Sequence, residues 1–301
     1  MPRRLSHIAF FKKEELHAYV LIAPWLLGFT VFTAGPMLMS IYLSFTDWRL
    51  IGDPRWVGLE NFRVLFFEDP RFWKALYNTA YYTLFSVPLG LIVALLLALL
   101  LNQRLRGIRF FRTAYYVPVV TSGVATSLLW LWIFNPKLGL LNYFLGLMGI
   151  EGPSWLVSDI WAKPAFILMS LWGVGGSMVI FLAALQSIPQ QLFEAAMIDG
   201  ANRWQIFWHI TIPIISPTTF FVLVMGIIGS FQIFTSAFVM TKGGPADSTL
   251  FYVLYLYENA FQYFRMGYAS ALAWVLFIVI LGFTILQFRI AGKWVHYESL
   301  R

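Results

Sequence analysis

The chain has no cysteine and only 12% charged residues. Without cysteine there is no disulfide framework, no thiolate nucleophile and no Cys-based metal site. A soluble domain carries roughly 25% charged residues, so about half the charge needed to cover a water-facing surface is missing. Acidic residues are the scarcer sign, 14 against 21 Lys and Arg, which leaves a net charge of +7. The four histidines, His7, His17, His209 and His296, lie too far apart in sequence for a helical ligand pair, and none sits in an H-E-x-x-H arrangement. They imply no metal site. The single Gly-Lys pair, Gly292–Lys293, lacks the preceding glycine of a phosphate-cradling loop, so the chain has no such route to ATP hydrolysis. A G-x-S-x-G elbow is also absent.

What remains is apolar. Of the 301 residues, 59% are hydrophobic and 19% aromatic. They form six long blocks, roughly 18–45, 76–101, 113–134, 165–187, 214–240 and 266–288, none containing Asp, Glu, Lys or Arg. About 20 apolar residues cross ~30 Å of hydrocarbon as an α-helix, so the expected fold class is an all-α integral membrane protein with six transmembrane helices. Pro24 and Pro36 predict a kink or tilt in the first span. That block is too long for a signal-peptide core and is expected to be retained. The apolar stretch Leu138 to Ile150 is too short to cross and predicts a helix lying at the interface. The 46–74 segment, with Trp48, Trp56, Phe62 and Trp73, predicts a small ordered cap.

Six spans put both termini on one side. Basic residues are denser in the short connections of one side, notably Arg104, Arg106, Arg109 and Arg112 in the acid-free 102–112 connection. The expected arrangement is therefore a cytoplasmic tail 1–17, a transmembrane domain 18–288 and a cytoplasmic tail 289–301. This distribution also accounts for the positive charge without nucleic acid. The spans hold no ionisable residue for a proton relay or for acid–base work, which counts against an ion-coupled carrier and an intramembrane enzyme.

One cytoplasmic segment is more than a connector. Ser187 and Gln190 predict a capping box, a first short helix is expected from Pro189 to Asp199, and Gly200 supplies its stop. A second is expected from Asn202 to about Thr211, ended by Pro213. So short a pair is marginal in water and needs something to pack against, either its own bundle or a partner.

Glu194-Ala195-Ala196, then Gly200 after three intervening residues, and Ile210-Thr211-Ile212-Pro213 after nine more, resemble the EAA signature of permease subunits of binding-protein-dependent ABC importers. Gly58-Leu59-Glu60-Asn61-Phe62, Tyr116-x-Pro118 and Thr241-Lys242-Gly243-Gly244-Pro245 resemble the carbohydrate-uptake branch, the maltose- and glycerol-phosphate-type permeases. The resemblance implies the type I importer permease fold in a bacterial inner membrane. It also implies a second permease, two ATPase subunits that carry ATP and Mg, and an extracytoplasmic binding protein delivering a sugar or sugar-like solute. No cofactor is then bound by this chain itself.

In that family the segment is a coupling helix seated in a cleft of the ATPase. The matching residues here are Glu194, Ala195, Ala196, Asp199, Gly200 and Arg203. By the same resemblance the sugar-contacting positions of span four correspond to Trp172, Gly173 and Gly176, with Ser177 beside them. Those of span five fall near Met225, Gly229 and Gln232. Together with Ser236 these three read as one smaller, more polar face at i, i+4, i+7 and i+11. The maltose type has Tyr, Ser and Asn where this chain has small or apolar residues, so the resemblance leaves open either a different solute, such as glycerol 3-phosphate, or a site supplied mainly by the partner permease.

Overall fold

The computed structural model describes residues 5–103 and 106–296, with side chains described from His17 onward. Arg104, named above among the orienting charges, lies outside the described residues, as do the ends of both tails. The chain divides into two compact units, one made of residues up to 65 with 259–274, the other of residues 66–258 with 275 onward.

In the first unit, α1 (Leu5–Phe29) runs through a π-helical turn, Thr30–Ala34, into α2 (Gly35–Ser44). Helix starts well ahead of residue 18 because Lys12, Lys13, Glu14 and Glu15 are themselves good helix formers. Pro36 has no N–H to give, and the Gly35 N–H reaches back to the Thr30 carbonyl, so the helix widens where a kink was expected. A two-stranded antiparallel ribbon follows, β1 (Thr46–Asp47) against β2 (Arg55–Trp56), and then α3 (Glu60–Phe67). Asn61 Nδ2 donates to the Ser44 and Thr46 carbonyls, at 2.9 Å each, and the Phe45 ring lies between Trp56 and Phe62. These contacts make the expected ordered cap.

In the second unit Asp69 caps α4 (Pro70–Leu101), accepting from the Arg71 and Phe72 amides at 3.0 and 3.2 Å. There follow α5 (Ile108–Val120), α6 (Gly123–Ile133), α7 (Leu140–Leu147), α8 (Ala162–Ser170), a 3₁₀ turn Leu171–Gly173, and α9 (Gly175–Gln186). Next come α10 (Gln190–Ile198), α11 (Arg203–Ile206), a π turn Phe207–Thr211, α12 (Ile212–Ile214), α13 (Ser216–Phe231) and α14 (Thr235–Met240). The chain continues through α15 (Tyr252–Tyr257) and a π turn Glu258–Gln262 to α16 (Met266–Ala291).

Among the described residues four helices are long and apolar enough to cross a membrane, or six if each of two bent pairs is one span. The bent pairs interrupt two of the six expected spans. The 113–134 block is α5 and α6, which meet at 102° where Pro118 withholds a donor and Thr121 turns extended. The 165–187 block is α8 and α9, bent by 46° around Gly173. The 214–240 block stops at Phe231 and resumes at Thr235, so Met225, Gly229, Gln232 and Ser236 do not share one continuous helix face.

The expected capping box at Ser187 is not formed. Its hydroxyl donates back to Ala184 at 2.8 Å, and the box is built instead by Asn202 and Gln205. Nor does Pro213 end the second short helix. The Ile212 N–H reaches the Phe207 carbonyl through the π turn, and helical structure continues to Ile214.

One buried apolar cluster joins Ala94, Ala98 and Leu101 of α4 to Met178, Phe181, Leu182 and Leu185 of α9, with Ile215 and Val222. Another joins Trp130 and Phe134 to Trp155 and Ala165.

Candidate functional site

Helix α4 turns Tyr82, Ser86 and Gly90 to one side, a spacing of i, i+4 and i+8. Facing them are Ser170, Gly173 and Ser177 across the α8–α9 break, and Gly226, Gly229, Ser230 and Ser236 from α13 and α14. These residues line a cavity of about 320 Å³. A smaller cavity of about 180 Å³ shares Tyr82, Ser170, Gly173 and Ser236 and adds Thr126 and Trp172. Neither lining contains an Asp, Glu, Lys or Arg. Small residues make the hollow possible. A Cβ on Gly226 would stand 3.2 Å from Val87 Cγ1, so α4 and α13 approach closely beside it.

Different materials lie on either side of the cavity. On one side the rings of Tyr82 and Phe166 pack at 5.4 and 5.5 Å on Phe251. On the other lies the apolar cluster around Phe181.

Five of the eight residues expected on a solute path line these cavities: Trp172, Gly173, Ser177, Gly229 and Ser236. Three do not. Met225 is half-exposed, Gly176 faces Val119, and Gln232 Nε2 turns back to the Ile228 carbonyl at 3.2 Å. Tyr82, Ser86, Ser170 and Ser230 were not among the expected residues, although Tyr82, Ser86 and Gly90 repeat at helical spacing. That repeat was the available signal.

Beyond the cavity, the start of α4 is tied to the 241–258 segment. Arg71 donates to both carboxylate oxygens of Asp247, at 3.0 and 3.1 Å, and to Glu258 at 3.2 Å. Tyr255 donates to Asp69, and its ring lies under the Arg71 guanidinium. Fully buried Asn78 donates to the carbonyls of Asp247 and Leu250, at 2.7 and 3.1 Å, and accepts from Lys163 Nζ at 3.1 Å. Burial holds the Glu258 carboxyl above the ordinary carboxylate value, opposed by the charge and hydrogen bond of Arg71.

The 190–214 segment sits at the opposite end of α4, against the Phe181 cluster. Helix α10 has no buried residue, but Phe193 packs on that cluster, as do Ile212 and Ile214. Glu194 is exposed and accepts from Gln190 Nε2 at 2.9 Å. Ala195, Asp199 and Arg203 are also exposed, and Ala196 is half-buried. Gly200 has φ +81°, a conformation that favours glycine, and with it the chain reverses between α10 and α11. Ala196, Asp199, Gly200, Gln205, Ile206 and His209 then line a shallow hollow. Ile198 and Trp204, 87% and 72% exposed, stand beside it as apolar surface, the Trp204 ring meeting Phe207 edge to face at 6.4 Å. No group of three or more His, Cys, Asp or Glu is placed to hold a metal among the described residues.

Residues 76–295 match a family model described as binding-protein-dependent transport system inner membrane component. A probable ABC transporter permease protein of Bacillus subtilis (strain 168), YesP, is 44% identical over 292 residues, 96% of this chain and 94% of that protein. The arabinooligosaccharides transport system permease protein AraP of the same organism is 34% identical over 94% of this chain and 91% of that one. Among solved structures, a chain in the crystal structure of a bacterial alginate ABC transporter in complex with alginate pentasaccharide-bound periplasmic protein is similar. It has a TM-score of 0.81 and 25% identity, covering 97% of this chain and 98% of that one.

Proposed function

The chain belongs to the family of inner membrane components of binding-protein-dependent transport systems, and from that premise we propose that it forms half of the path by which a sugar or sugar-like solute enters the cell. It is an ABC transporter permease, a transport subunit and not an enzyme. The observation that carries the reading is a juxtaposition within one unit. An uncharged cavity rimmed by hydroxyls and Trp172 shares an apolar floor with a two-helix segment whose outer surface is exposed. Hydroxyls exchange hydrogen bonds with a saccharide without demanding a charge, and an exposed indole face offers a stacking surface.

In this reading a second permease supplies the other half of the path. An extracytoplasmic binding protein, like the one named in the alginate complex, delivers the solute. Two ATPase subunits hold ATP and Mg. The 190–214 segment docks on an ATPase, with Glu194 offering a carboxylate to a basic residue there and Ile198 and Trp204 covering apolar surface. Movement of α10 is passed through Phe193 to the cluster under the cavity. The spans near 18–45, 76–101, 113–134, 165–187, 214–240 and 266–288 cross the membrane, with the tails 1–17 and 289–301 in the cytoplasm. The positive-inside bias of the 102–112 connection supports that orientation.

The test is the assembled importer in proteoliposomes. Glu194→Ala should leave assembly intact and lower solute-stimulated ATP hydrolysis on the order of ten-fold, the effect of losing a charge-assisted contact of about 1.5–3 kcal/mol. Unchanged stimulation, or uptake driven by an ion gradient through this chain alone, would sink the proposal.

A further inference from the structure

Between α4 and α5 the chain makes an elbow that carries charge of one sign. The 102–112 connection has no acidic residue. Of its arginines, Arg112 is committed internally, donating through Nε and Nη2 to the Leu101 carbonyl at 3.2 and 2.8 Å and so capping the end of α4. Arg106 and Arg109 are exposed and make no ion pair or side-chain hydrogen bond among the described residues. Beside them Phe110 and Phe111, 72% and 52% exposed, pack edge to face at 5.7 Å. The exposed surface then continues along α5 through Val117 and Val120. Unpaired cations next to exposed aromatic rings, at the edge of a continuous apolar face, match the section of a bilayer where phosphates meet acyl chains.

We propose that this elbow is a binding site for the headgroup of an anionic phospholipid, with Arg106 and Arg109 on the phosphate and Phe110 and Phe111 among the first acyl carbons. The apolar half of the site selects a lipid over free phosphate or nucleic acid, which offer nothing to the two rings. Bound lipid also has a route to the coupling segment. Ile108, between the two arginines, packs on the same cluster as Phe193, so a headgroup that fixes the elbow steadies the surface on which α10 rests. This second consequence rests on the transport reading above, whereas the site itself does not.

The full importer, placed in nanodiscs of phosphatidylglycerol mixed with phosphatidylcholine, separates the two. Native mass spectrometry should find phosphatidylglycerol retained in preference to phosphatidylcholine, and Arg106→Gln and Arg109→Gln should each lower that retention on the order of five-fold. Among the described residues neither side chain makes an ion pair or side-chain hydrogen bond, so both variants are expected to fold. Arg49→Gln, whose guanidinium stands 3.6 Å from Asp47, should leave retention unchanged. Equal retention of the two lipids, no loss in the arginine variants, or an equal loss in the Arg49 variant would overturn the site. Solute-stimulated ATP hydrolysis should fall in phosphatidylcholine alone and in the arginine variants alike. If hydrolysis is indifferent to lipid while retention follows the arginines, the headgroup site stands and its link to coupling fails. If the wild type shows no solute stimulation in either lipid, it is the transport reading that fails.

Discussion

At the end where α4 begins, Arg71 holds Asp247 and Glu258, Asp69 takes the Tyr255 hydroxyl, and Asn78 gathers two carbonyls. At the end where α4 finishes, Ala98 and Leu101 meet Phe181, Leu182 and Leu185, and Arg112 closes the last turn. The first end is a polar clasp of directional, paired charges. The second is a dispersion-packed seam of close contacts without directional bonds. The hollow between them contains hydroxyls but no charge. In the proposed cycle the seam is the natural place for movement to enter, because it bears the 190–214 segment, and the clasp is the natural place for register to be kept.

That contrast is open to attack from both sides. The largest effect is expected at the seam. Phe181 is fully buried, and Phe181→Ala should cost about 3 kcal/mol through the cavity it leaves, with little dependence on salt. Thermal unfolding of the complex in detergent at two ionic strengths measures both. A strongly salt-dependent loss would mean that the seam is not held by packing.

A smaller effect is expected at the clasp. Arg71→Ala leaves Asp247 and Glu258 facing each other, but Arg71 and Asp247 are each more than a third exposed. The expected cost is therefore about 1 kcal/mol, shrinking at high salt. A salt-independent loss as large as that of Phe181→Ala would erase the distinction between the two ends.

The smallest effect is a dependence on pH. The folded carboxyl of Glu258 lies above its ordinary value, chiefly because it is buried. Its contribution to stability is full below the ordinary carboxylate value and is lost as pH rises through the raised one. Glu258→Gln removes this titration, so the stability of the variant minus that of the wild type should grow as pH rises through that window. A flat difference would show that Glu258 titrates normally.

The spans were legible because an uncharged apolar run of twenty residues is stable in hydrocarbon and hard to shield anywhere else. Their breaks were not, because whether Pro118, Gly173 or Gln232 ends a helix depends on what the neighbouring helix offers the freed backbone groups. The Ser187 capping box failed for a local reason: a serine hydroxyl has an equally good acceptor one turn back, at Ala184. Asn202 had the same motif with Gln205 and formed it, since Gly200 had already ended the preceding helix. The two short helices on either side of Gly200 were legible, because a glycine there ends the first and Asn202 starts the second. The cavity was not, because Tyr82, Ser86 and Ser170 become a site only when α4, α8 and α13 converge. The clasp was likewise invisible, joining residues 176 and 187 positions apart.

Gly175 opens α9 just past the break in span four, and a Cβ there would collide with the Tyr115 carbonyl oxygen, one turn before the break in span three. The two discontinuous spans therefore touch backbone to backbone near their own weak points. Only glycine fits at that contact, because any side chain at position 175 would force the two spans apart between their breaks.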